Sequence, residues 1–136
     1  MWRRPRQSSA MQLLKWIVVV LAFFQGSWLA FDGGRALIKG DYITPRSGPY
    51  AGQLGPWSRV VAKAGLEPRG AFVKTLHVAL GLAWLVALIL FITRPALGWW
   101  VALFCGAATL WYLPMGTAIG LLVIVLLLTP QLRGLM

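Results

Sequence analysis

The stretch Ala96–Thr129, ALGWWVALFCGAATLWYLPMGTAIGLLVIVLLLT, contains no charged residue. As one helix rising 1.5 Å per residue it would be about 50 Å long, against a bilayer core of roughly 30 Å. The stretch therefore has to turn back on itself. Leu113-Pro114-Met115-Gly116 is the place, because Pro and Gly punctuate helices. This predicts two short helices, about 96–112 and 115–130. Trp111 and Tyr112 would lie at headgroup level beside the turn, with Trp99 and Trp100 at the other end. The alternative is one kinked helix with an interfacial tail.

Working back from that stretch, residues 71–93 form another apolar run, ending at Arg94-Pro95. Residues 13–31 form the first, with Trp16 and Trp28 near its ends. The sequence thus predicts a single all-α membrane domain, a polytopic four-helix transmembrane bundle, with a long first loop over residues 32–70. Composition agrees with this class. Of 136 residues, 59% are hydrophobic and 12% charged, where soluble domains carry about 25% charge. So little polar surface excludes a soluble enzyme of this size. One Cys excludes an intramolecular disulfide or a thiolate metal cage, and one His excludes a multi-histidine site.

Thirteen Lys/Arg against three acids give a net charge of +10. The bases flank the apolar runs rather than forming one patch, which points to anionic lipid headgroups and not to nucleic acid. The first run reads as an uncleaved helix. A cut after Ala30 would place Trp28 where a signal peptide needs a small residue. Arg3, Arg4, Arg6 and Lys15 precede it without an acid, which predicts both termini in the cytoplasm of a bacterial inner membrane. The six bases of the first loop pull the other way.

Each run carries small residues at helical spacing, among them Gly26, Gly106, Gly116 and Gly120. Such residues let helices approach closely, either inside the bundle or between copies of the chain. The loop 32–70 holds all three acids and is dense in Gly and Pro, yet aromatic residues recur through it. That pattern predicts an ordered segment rather than a disordered one. Within it, Pro56 suits a helix start and Gly65 a helix end. Trp57, Val60, Val61 and Ala64 share one face, with Ser58, Arg59 and Lys63 opposite. This is a short amphipathic helix, lying in the interface with its bases toward headgroups or capping the bundle. Pairing of Asp32 with Arg35 and of Asp41 with Arg46 would help to fix the loop. Asp32, Arg35, Asp41, Tyr42, Tyr50, Trp57, Arg59 and Lys63 form its candidate docking surface for a partner. A further helical turn over Arg35–Lys39, closed by Gly40, would follow the first run unless Gly33-Gly34 breaks the register.

His77 lies two turns into the second run, where an ionisable side chain is a functional candidate. With Gln25 it could bind a cofactor, as a haem ligand or a proton relay to a quinone. Equally, it could be a neutral His bonded to a backbone carbonyl or to Thr75. Cys105 reads as a buried small residue. There is no catalytic or metal-binding motif and no residue set for a resident metal.

Gly40-Asp41-Tyr42-Ile43-Thr44-Pro45, Tyr50-Ala51-Gly52-Gln53-Leu54-Gly55-Pro56-Trp57 and Trp111-Tyr112-Leu113-Pro114-Met115-Gly116-Thr117 resemble segments of small bacterial membrane proteins. The helix count, with Gly26 in the first helix, is similar to DoxX-like four-helix proteins, and that resemblance implies a link to quinol oxidation without a catalytic residue. The long Gly/Pro loop departs from that family. The sequence thus leads to a non-enzymatic accessory or assembly subunit of a membrane complex. The other readings are a quinone- or redox-linked protein and a small oligomeric anion transporter or pore. The partners expected are anionic lipid and other membrane proteins or copies of the chain.

Overall fold

A computed structural model describes residues 9–136; Arg3, Arg4 and Arg6 lie outside the described residues. Within them the fold is all-helical. Helix α1 spans Ser9–Lys39, α2 Trp57–Lys63, α3 Ala71–Thr93, α4 Pro95–Ala108, α5 Met115–Leu127 and α6 Pro130–Arg133.

Helix α1 runs without a break through Gly33-Gly34, so the turn expected at Arg35–Lys39 belongs to the same helix. A helical Gly costs about 1 kcal/mol relative to Ala. At Gly33 close packing offsets that cost: a Cβ there would stand 2.6 Å from the His77 Cβ and 2.9 Å from the Lys74 carbonyl. The helix ends at Gly40, which takes a left-handed φ of 96° and donates its N–H to the Ala36 carbonyl.

Helices α1 and α3 are antiparallel. Gly33 faces His77, and a turn-pair lower Gly26 faces Gly81 and Trp84. Pro95 starts α4 at a position where its missing N–H costs nothing. Helix α5 returns along α4, with Gly120 against the Gly106 carbonyl and Gly116 against Tyr112. At the far end of this pair the Trp99 Nε1 donates to the Leu127 carbonyl at 3.0 Å. Helix α5 also packs on α1, so the four longer helices close into a ring in the order α1, α3, α4, α5.

Two helices, α1 and α3, are long and apolar enough to cross a membrane. Only 33% of the most apolar window of each is buried inside the fold. Their outward faces are themselves apolar, as at Phe23, Phe24, Leu82 and Ile89, and α4 and α5 add Phe104, Leu121 and Val125. The core helix of a soluble protein is mostly buried and has no such outer face.

Helices α4 and α5 are shorter than the 96–112 and 115–130 expected. The Thr109 hydroxyl donates back to the Cys105 carbonyl at 2.8 Å, and the Tyr112 N–H turns to the Thr109 carbonyl at 3.1 Å. The chain thus leaves the helix four residues early. The Trp28 Nε1 donates to the Tyr112 hydroxyl at 2.9 Å, which fixes the level of this turn on α1. From Trp28 to Lys39, α1 rises about a further 16 Å. A recess therefore lies above the α4–α5 turn, beside the taller α1–α3 pair. Residues 40–70 fill it, and α2 sets Trp57 over the turn.

Candidate functional site

The segment 40–70 is anchored by polar bonds at the loop end of α1 and α3. The Asp32 carboxylate accepts the Ile43 N–H at 2.8 Å. Asp41 accepts the Tyr42 N–H at 2.9 Å and pairs with Arg69 at 3.1 Å. Arg69 also donates to the Gly52 carbonyl, and Lys74 to the Gly40 carbonyl. Arg35 donates to the Asp41 carbonyl at 2.9 Å. Asp41 thus pairs with Arg69 rather than with Arg46, and Asp32 has no ion pair among the described residues. The reason is local: Arg69 sits at the start of α3, directly opposite the end of α1, whereas Arg46 lies on the outer part of the loop.

These anchors bring Tyr42 and Trp57 over His77. The imidazole is fully buried. Its ring centre stands 4.9 Å from that of Tyr42, 4.7 Å from Trp57, 5.6 Å from Trp111 and 5.3 Å from Tyr112. Its Nδ1 lies 2.8 Å from the Val73 carbonyl. A carbonyl only accepts, so Nδ1 holds a proton. Nε2 has no hydrogen-bond partner among the described residues. A haem needs an open position on its axial nitrogen and a broad slot beside it. Four packed rings leave neither, so these residues do not fit a haem. The Tyr42 hydroxyl donates to the Pro68 carbonyl at 2.9 Å. Burial, and then the Asp32 and Asp41 carboxylates, push the Tyr42 phenol above its ordinary range.

Beside this cluster is a cavity of about 170 Å³ lined by Trp28, Asp32, Ile43, Gly55, Trp57 and the turn residues Tyr112–Met115. Asp32, only 3% exposed, supplies its one carboxylate. This is the place where the fold gathers a charge, aromatic walls and free volume.

The predicted site residues fall into three groups. Asp32, Arg35, Asp41, Tyr42, Trp57 and His77 come together at the loop end of α1 and α3. Tyr50, Arg59 and Lys63 are exposed on the outer surface of the loop. Gln25 is buried at the level of Gly26 and Gly81, about 10 Å along α1 from the level of His77. The structure therefore does not put Gln25 and His77 in one pocket. Trp28, Trp111 and Tyr112, which the sequence places at headgroup level, join the cluster. Their signal was the polar handle that a buried Trp or Tyr must pair. Among the described residues no group of three or more His, Cys, Asp or Glu is placed to hold a metal ion. Comparison of the chain with protein-family models, with curated proteins and with solved structures gave no significant match.

Proposed function

We propose that the chain is an integral membrane protein of four spans, formed by α1, α3, α4 and α5, that serves as a non-enzymatic accessory subunit of a larger membrane complex. The observation that carries this reading is the outer surface of the helices. It is apolar on α1, α3, α4 and α5, while the charged side chains of these helices keep to the first or last two turns and the others lie in residues 32–70 and at Arg133. A surface of that kind calls for lipid or another apolar partner. Ion pairing and hydrogen bonds to carbonyls hold the loop in one shape, so Tyr50, Arg59 and Lys63 form a fixed polar face for a partner. In a bacterial inner membrane both termini would lie in the cytoplasm and the loop on the opposite side. The test is extraction with alkaline carbonate followed by purification in mild detergent. The protein should stay in the pellet at the first step and bring a defined membrane protein with it at the second. Release by carbonate removes the membrane assignment, and a bare monomer removes the accessory role.

A quinone-linked role has one observation in its favour, His77 Nε2 beside Tyr42, an acceptor without a partner among the described residues that would take a quinol hydroxyl once the rings over it part. A quinone in the lipid extract of the pure protein, absent from a His77→Ala variant, would support it.

A further inference from the structure

We infer that the cavity between α1, the loop and the α4–α5 turn binds an organic ammonium group, with Asp32 as its counter-charge and Trp28, Trp57 and Tyr112 as its aromatic walls. The first ground is an imbalance of charge. Asp32 is 3% exposed, and its only hydrogen bond among the described residues is the Ile43 N–H on one oxygen. Among the described residues no Lys or Arg nitrogen comes within ion-pair distance: Arg35 acts on the carboxylate only through space, since it and Arg69 are turned to Asp41 and Lys74 to Gly40. A buried carboxylate is costly unless a cation compensates it. A ligand cation would complete the pair.

The second ground is the wall chemistry. Indole and phenol faces attract cations through their ring quadrupoles, and they suit alkylated ammonium groups that shed water readily. The bond from Trp28 to the Tyr112 hydroxyl holds both rings in place. The third ground is size. About 170 Å³ is well below the roughly 300–1,000 Å³ of sites for drug-sized ligands, and it suits a head of a few heavy atoms.

The setting suggests where such a head could come from. Trp28 also borders an apolar groove on the outer face of α1, lined by Phe23, Phe24, Ser27 and Phe31. An ammonium head in the cavity could therefore carry an apolar tail into this groove. A membrane lipid with an ethanolamine or choline head has that form, and so does a free alkylamine. The lipid source rests on the membrane reading above, whereas binding of a free ammonium ion does not.

The test is native mass spectrometry of the full chain in a non-ionic detergent. Phosphatidylethanolamine, phosphatidylcholine and phosphatidylglycerol are offered in turn, with tetramethylammonium chloride as the free competitor. Retention of the two ammonium lipids over phosphatidylglycerol by about tenfold is expected, and Asp32→Asn should abolish it. The Asn oxygen can still accept the Ile43 N–H, so helix content should hold. Met115→Trp, which fills the cavity and leaves the carboxylate in place, should abolish it as well. If tetramethylammonium displaces the lipid, the head alone is read and a free amine can be the ligand. If only the ammonium lipids bind, the tail is required and the source is the bilayer. Equal retention of all three lipids without an effect of tetramethylammonium overturns the inference. So does a preference that survives either substitution.

Discussion

A buried amide with neither its oxygen nor its nitrogen bonded forfeits interactions that the unfolded chain would make, at about 1–3 kcal/mol. Among the described residues Gln25 is fully buried in that state, and the Trp84 Nε1 on the facing helix is without a partner too. Replacing the amide by an apolar side chain of similar length should remove the penalty. Gln25→Met is expected to raise stability by about 1 kcal/mol, read as a higher unfolding midpoint in detergent. A lower midpoint would mean that the amide has a bound partner in the native protein. His77 stood out in the sequence as an ionisable residue in an apolar run. Its enclosure did not, because Tyr42, Trp57, Trp111 and Tyr112 come from the loop, α2 and the α4–α5 turn. Only the folded chain brings those three places together.

Helix pairing turns on single methyl groups. Gly33 and Gly34 are adjacent in α1 but have opposite surroundings. A Cβ on Gly33 would meet His77 and the α3 backbone, whereas one on Gly34 meets nothing within 4 Å. Gly33→Ala should therefore force α1 and α3 apart, at about 1–3 kcal/mol. Gly34→Ala should gain up to about 1 kcal/mol from helix propensity alone. Paired unfolding curves of the two variants check this, and a Gly33→Ala protein as stable as Gly34→Ala would refute the close crossing. The same contrast explains where element boundaries could be read. Pro56 and Gly65 marked α2 correctly because its limits are set by local backbone chemistry; Gly65 takes a φ of 86°. Gly33-Gly34 resembled a break because its compensation comes from α3, distant in sequence. The early end of α4 was hidden for another reason, since the bond from Thr109 to Cys105 is one that a mid-helix Thr can also make.

For the molecule as a whole, the antiparallel ring places the loop and the α4–α5 turn at one end and both described termini at the other. With Cys105 replaced by Ala, single cysteines at Ser9 and Ser47 should react from opposite sides with a maleimide that cannot cross membranes. In intact cells Ser47→Cys should label and Ser9→Cys should label only after lysis; the reverse pattern would invert the orientation. The short hairpin has a physical effect on its surroundings as well. Helices α4 and α5 are each about 20 Å long, while α1 and α3 exceed 30 Å. In the four-span reading proposed above, lipid touching one flank would meet a thinner hydrophobic wall than lipid touching the other. Such mismatch costs a fraction of a kcal/mol per Å, and it is relieved by tilt, by local thinning or by covering the short flank with another protein. The α4–α5 side is accordingly the flank on which the bilayer itself would favour association.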